Sequence, residues 1–265
     1  MSRYAAMFDR LGEEGAFIPF VVLGDPDPEA SIEVIEALVE GGADALELGI
    51  PFSDPVADGP VIQAADLRAL AAGTRPSHAF AITTAIRERH PELPMGLLVY
   101  ANLVEAPGRE RFYGRAAAAG IDSVLVADVP TLECAPYVAA AVDAGVEPVL
   151  IATPNASADA LQTIAETSKG YTYVVSRAGV TGTEDEAGLD HEALMSALRE
   201  HGAPPSVLGF GISSPAHVRA ALEAGARGVI SGSAVVRIVA GHLDEAAERS
   251  AMLTRFVSEM KDATR

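Results

Sequence analysis

The chain is short of several things. It has one cysteine, Cys134, in 265 residues. That excludes an internal disulfide framework and any cysteine-built zinc site. Lysine is nearly absent: Lys169 and Lys261 are the only two, and the other basic residues are arginines. Positive charge as a whole is scarce, with 19 Lys and Arg against 37 Asp and Glu and a formal net charge of −18. Such a chain is poorly suited to a phosphate backbone or an anionic lipid surface, both of which call for clustered Lys and Arg. The acid excess bears on solubility and association, not on fold. No apolar run approaches the roughly 20 residues of a membrane span. The first residues, MSRYAAMFDRLGEEGAF, carry acids that a transit peptide avoids. A cytoplasmic location is the expectation.

What is present is alternation. Hydrophobic residues make up 49 %, as expected of a globular chain. Short β-branched runs precede longer alanine-rich stretches of helical period. Strands are expected at 17–23, 45–49, 95–100, 123–127, 148–151, 172–175, 207–210 and 228–230. Helices are expected at 29–41, 76–90, 108–119, 132–144, 157–168, 189–201, 215–225 and 243–262. Asp27-Pro28 and Ser214-Pro215 read as capped helix starts, and Gly120, Gly145 and Gly225 as helix ends. Eight units of about 33 residues each match one βα step apiece. Runs such as Ser-Val-Leu-Val-Ala (123–127) suit strands buried on both faces. A doubly wound open sheet is the rival. The regular repeat favours a single (β/α)8 TIM-barrel domain over 1–265, with an extra N-terminal helix (about 2–12) and a short helix after strand two (60–72).

In that fold chemistry gathers at the C-terminal ends of the strands. Glycine-rich segments follow strands six, seven and eight: 177–182, 209–213 and 231–234. The last two run into helix starts, where free N–H groups and the positive dipole end favour an anion. Their position matches the usual phosphate site of the barrel. Glu47 lies between Leu46 and Leu48, so strand alternation points it into the barrel if the leucines face the helices. Burial there would raise its pKa and suit it to acid–base work, although a structural carboxylate is also possible. Asp54 and Asp58 follow on a proline-rich loop, and Asp58 could equally cap the next helix. The two lysines stand where a Schiff base cannot use them: Lys169 precedes strand six and Lys261 is in the last helix. The six histidines lie in or beside helices, away from strand ends. Cys134 reads as buried packing, and no serine-hydrolase elbow occurs. Carboxylate acid–base chemistry on a phosphorylated substrate remains, with Tyr173 as a further candidate.

Several strings carry a resemblance. Phe-Ile-Pro-Phe (17–20), Leu-Gly-Asp-Pro (23–26), Glu-Leu-Gly-Ile-Pro-Phe-Ser-Asp-Pro (47–55), Ala-Asp-Gly-Pro (57–60), Tyr-Ala-Asn (100–102), Val-Ala-Asp-Val-Pro (126–130), Ser-Arg-Ala-Gly-Val-Thr-Gly (176–182), Gly-Phe-Gly-Ile (209–212) and Ser-Gly-Ser-Ala (231–234) occur in order along the chain. Together they resemble the tryptophan synthase alpha chain family. The resemblance implies retro-aldol cleavage of indole-3-glycerol phosphate to indole and glyceraldehyde 3-phosphate. It implies Glu47 as the acid–base residue, Asp58 as acceptor of the indole N–H, and Tyr173 beside Glu47. Phe20, Ile62, Leu98, Leu125 and Phe210 would line the indole slot, with core packing as their competing role. Gly182, Gly211, Gly232 and Ser233 would hold phosphate. The 177–191 loop would be a lid, with Thr181 coupling it to Asp58. An α2β2 assembly with a beta chain is implied. Pyridoxal phosphate would belong to that partner, with no cofactor or metal in this chain, and Asp54 and Pro55 would lie on the communicating loop. A stand-alone indole-releasing lyase, another phosphate-binding barrel isomerase and a non-catalytic barrel are the alternatives.

Overall fold

The computed structural model describes residues 1–175 and 191–265. Its strands are β1 (Ala16–Val22), β2 (Leu46–Gly49), β3 (Met95–Val99), β4 (Ser123–Val126), β5 (Glu147–Pro148), β6 (Ile151–Ala152), β7 (Thr172–Val175), β8 (Ser206–Gly209) and β9 (Gly228–Ser231). All pairings are parallel, in the order β5-β4-β3-β2-β1-β9-β8-β7-β6. The two ends of that order are consecutive in the chain. Between them, the Val149 N–H donates to the Val124 carbonyl and the Leu150 carbonyl accepts from the Tyr173 N–H, both at 3.1 Å. One bent segment therefore ties β4 to β7, and the sheet closes as a (β/α)8 barrel. The fifth stave, expected as one strand, is broken in two.

The helices are α1 (Arg3–Leu11), α2 (Pro28–Glu40), α3 (Pro60–Ala71), α4 (Pro76–Arg89), α5 (Ala101–Glu105), α6 (Arg109–Ala118), α7 (Ala135–Asp143), α8 (Ala158–Thr167), α9 (His191–Glu200), α10 (Pro215–Glu223), α11 (Ser233–Gly241) and α12 (Ala246–Asp262). The expected starts have a visible cause. Asp27 Oδ1 accepts from the Glu29 and Ala30 N–H groups at 2.9 Å, and Ser214 caps α10 through the His217 N–H. α5 is absent from the sequence expectation, and α11 is expected only as a helix start after 231–234, with no extent given. α11 is rich in β-branched residues (Val235, Val236, Ile238, Val239), which lowers its helix propensity. It forms because that apolar face packs on the barrel, with Val235, Val236 and Val239 buried. Among the described residues no helix is long and apolar enough to cross a membrane.

Alternation along the strands splits the core in two. Leu46, Leu48, Leu97 and Val124 face outward and join Val34, Ile35 and Leu38 of α2 in the layer between sheet and helices. Phe20, Leu125, Tyr173, Val207 and Ile230 form the cluster inside the barrel. Phe20, Glu47, Gly96 and Ser123 stand in register across β1 to β4, so they share the inner face. The base is plugged by α1. The Tyr4 hydroxyl and Ser123 Oγ share a hydrogen bond of 3.0 Å, and the Tyr4 ring lies 5.3 Å from that of Tyr171. Ion pairs surround the plug. Asp122 pairs with Arg3 at 2.7 Å and Arg87 at 2.6 Å, and Asp44 with Lys261 at 2.8 Å. Lys261 is thus committed to the base, and Lys169, bonded by its N–H to the Pro148 carbonyl, precedes β7 at the same end.

Candidate active site

Glu47 occupies the middle of β2 with its side chain inside the barrel and is 2 % exposed. Its Oε1 accepts from the Tyr171 hydroxyl at 3.2 Å. Burial is the main force on this carboxyl and pushes its pKa up to about 8. The Tyr171 bond opposes the shift, and the Asp58 charge adds to it. At neutral pH Glu47 therefore holds a proton, as a general acid must.

Asp58 reaches the same space from the loop after β2. Its Oδ2 accepts from the Tyr100 hydroxyl at 2.6 Å, and Tyr100 in turn accepts from the Ala57 N–H at 3.1 Å. The helix-cap alternative does not hold. Gly59 is the N-cap of α3, and no side chain caps that helix. Burial raises the Asp58 pKa as well, opposed by the Tyr100 bond. Tyr100 is braced by Phe52, whose ring stacks on it at 5.2 Å and 23°.

The five apolar residues assigned to the slot come together. Phe20, Ile62 and Leu125 are buried members of the inner cluster, and Leu98 and Phe210 pack against it. Phe210 has a φ of 77°, a left-handed conformation rarely taken by a bulky residue. The strain sits where β8 leaves the barrel, as strained backbone often does at a functional mouth. Tyr173, assigned a place beside Glu47, lies in the same cluster; burial first, then its nearness to the Glu47 and Asp58 carboxyls, pushes its hydroxyl pKa up. Its ring fits because Gly209 on the next strand has no Cβ; a side chain there would collide with the Tyr173 hydroxyl. The hydroxyl that touches Glu47, however, belongs to Tyr171. Neither Tyr171 nor Tyr100 was singled out as a partner from sequence, because each contact joins residues far apart in the chain.

The residues expected to hold phosphate are described in part. Gly211 follows Phe210 with a φ of 77°. Gly232 is the N-cap of α11 and Ser233 its first residue, with no side chain capping the helix. Ser231 Oγ donates to the Ile212 carbonyl at 2.7 Å and draws the two loops together. Among the described residues no side chain caps the first turn of α11. Thr181, Gly182 and most of the 177–191 loop lie outside the described residues. Asp54 is exposed, with Ser53 Oγ donating to it at 2.5 Å, and Pro55 is half-buried beside it. His90 is bound to Glu36 at 2.9 Å, and Cys134 is buried at the start of α7. Among the described residues no group of three or more His, Cys, Asp or Glu could hold a metal ion.

The fold and the mouth together define the class: a (β/α)8-barrel enzyme with buried carboxyls at the C-terminal ends of its strands. The profile of the family described as tryptophan synthase alpha chain matches residues 8–265. Proteins of that name from Vibrio cholerae serotype O1 and Shewanella amazonensis are 55 % and 57 % identical, with both chains covered in full. The crystal structure of tryptophan synthase subunit alpha from Legionella pneumophila superposes with a TM-score of 0.89 at 29 % identity, covering 100 % of this chain and 98 % of that one. A chain from the tryptophan synthase a2b2 complex of Pyrococcus furiosus gives 0.82 at 34 % identity, covering 93 % and 97 %. The chain belongs to the tryptophan synthase alpha chain family.

Proposed function

We infer that this chain, one barrel domain over 1–265, is the lyase that cleaves indole-3-glycerol phosphate to indole and glyceraldehyde 3-phosphate. The observation that carries the reading is the meeting of two carboxyls of unlike surroundings in one apolar slot. Glu47 is buried with a proton held to about pH 8, while Asp58 is oriented by the Tyr100 hydroxyl. Glu47 gives its proton to indole C3, and the ring becomes a cation and an electron sink. Asp58 accepts the ring N–H and stabilises that charge in a low-dielectric setting. The Glu47 carboxylate then takes the proton of the side-chain hydroxyl. The carbon–carbon bond breaks, its electron pair restores the indole, and the aldehyde forms. Glu47 ends protonated, as it began.

Phe20, Ile62, Leu98, Leu125 and Phe210 hold the flat ring. The α11 N-terminus (Gly232, Ser233), Gly211 and Gly182 hold the phosphate through main-chain donors. Tyr173 packs against the reacting groups, and Thr181 on the 177–191 lid couples closure to Asp58. The chain works with a beta chain as an α2β2 assembly in the cytoplasm, and pyridoxal phosphate belongs to that partner. Two large apolar side chains on loops at the mouth support a docking face there: Val56 is 71 % exposed and Leu132 94 %. Asp54 and Pro55, on the same loop as Val56, form the communicating segment.

The test is indole release from indole-3-glycerol phosphate, measured with and without a beta chain. Release that the beta chain accelerates is expected. No release in either case would overturn the reading, and release indifferent to beta would make this a stand-alone lyase.

A further inference from the structure

One carboxyl beside the mouth has no task in that scheme. Asp66 lies in α3, one turn beyond Ile62, and is 5 % exposed. Its Oδ1 accepts from the Phe52 N–H at a long 3.4 Å, and its Oδ2 is buried with no partner. The nearby guanidinium of Arg68 is spent on Asp25, with two bonds of 2.8 Å. The other groups that face Asp66 are acids or hydroxyls: Asp58 on the loop, Asp25 after β1, and Tyr100 at the end of β3. Phe52, tethered by Asp66, stacks on Tyr100, and Tyr100 donates to Asp58. A continuous set of contacts therefore runs from Asp66 through the start of the 52–59 loop to the carboxyl assigned to the indole N–H.

The two aspartates are supported unequally. Asp58 receives a short hydroxyl hydrogen bond, which favours its anion. Asp66 receives one long N–H bond and leaves an oxygen bare, which favours its neutral acid. Two close carboxyls in such surroundings divide the roles of acid and anion between them.

We propose that Asp66 is a positioning residue for the cleavage reaction: as a neutral carboxylic acid it tethers the 52–59 loop through the Phe52 N–H and leaves Asp58 as the ionised member of the pair. The inference rests on the role of Asp58 given above. Burial first, and the Asp58 charge second, push the Asp66 pKa up to about 8. Above that pH a buried charge faces two like charges with one weak bond to hold it. Hydrating it requires α3 and the loop to part, and Asp58 loses its alignment.

The chain has no tryptophan, so Phe52→Trp places a single reporter on the loop without removing the tethering N–H. Its emission should change in one transition centred near pH 8. The transition should persist with Glu47→Gln, whose parent carboxyl titrates in the same range, and vanish with Asp66→Asn. A transition that survives Asp66→Asn, or none with Asp66 in place, overturns the proposal. In the complex with a beta chain, Asp66→Ala should lower kcat by about tenfold with little change in KM, as misplacement does. Asp66→Asn, which keeps the acceptor and cannot ionise, should recover most of that loss and leave between pH 7 and 9 only the fall in rate that the Glu47 titration itself causes. An asparagine variant as slow as the alanine one, with an unchanged circular dichroism spectrum, also overturns it. If Asp66→Ala does not fold, the reporter and the asparagine variant still decide. If Asp58→Asn leaves turnover intact, the role of Asp58 fails while the emission transition still reports on the tether.

Discussion

Asp122, at the foot of β4, and Glu47, inside β2, belong to one barrel and meet opposite surroundings. Asp122 lies between Arg3 and Arg87 and also accepts from the Met95 N–H at 2.8 Å. Asp44, at the same end, has Lys261 and the Phe17 N–H. At the mouth, Glu47 and Asp58 have tyrosine hydroxyls and Asp66 a single N–H. The division is not complete, since Asp25 near the mouth is clamped by Arg68 and Glu147 near the base leaves a buried oxygen bare. The pattern still holds for the groups that matter to each end. Cations fix carboxyls where the barrel must be stapled. They are withheld from the carboxyl proposed to trade a proton, which a neighbouring cation would hold ionised.

That contrast can be broken in several ways. The largest effect should come from Glu47→Gln, which cannot shuttle a proton. Indole release should fall by about 10⁴-fold or more while substrate binding survives, and a rate near wild type would remove Glu47 from the mechanism. Asp58→Asn should slow turnover by about 10²-fold, on the order of 3 kcal/mol, since an amide stabilises the cationic ring poorly. At the base, Asp122→Ala should lower unfolding stability by about 3 kcal/mol, because two guanidinium groups lose their partner. Its kcat should not move, and a base mutant that altered chemistry would blur the two ends.

The fourth effect has the opposite sign. The folded chain keeps the Glu47 proton to about pH 8, whereas the unfolded chain releases it near the ordinary 4.5. The Glu47 contribution to stability is thus fully present below 4.5, is eroded as pH rises to 8, and then levels off. Glu47→Gln, free of that loss, should be more stable than wild type at pH 8, by up to about 4 kcal/mol, and equal to it below pH 4 in thermal unfolding. Equal stability at pH 8 would mean that the mouth does not strain its acid. The smallest effect concerns the phosphate. Indole glycerol lacking it should bind at least about tenfold more weakly, near 1.4 kcal/mol, if α11 holds the anion.

The repeat of apolar strand and alanine-rich helix was legible because both faces of each strand are buried. The inward turn of Glu47 was legible because Leu46 and Leu48 flank it. Asp58 was ambiguous, since Asp before Gly-Pro suits both a cap and a site; only the Tyr100 contact, 42 residues away, decides. Tyr171 was hidden for the same reason, 124 residues from Glu47. Asp66 reads as an ordinary polar residue of an alanine-rich helix until its burial is known. The break in the fifth stave and the length of α11 depend on how the barrel closes, which local propensity does not encode.

The uncapped start of α11 has a consequence for how the chain can change over time. A pocket formed by peptide groups cannot be erased by exchanging one charged side chain for another. It fails through an insertion, a deletion, or a side chain forced onto a backbone that refuses one, as at Gly211 with its φ of 77°. The surface is then free to drift in composition without touching substrate capture. If peptide groups seat the phosphate as proposed, a chain can become almost lysine-free and carry a net charge of −18 and still bind it.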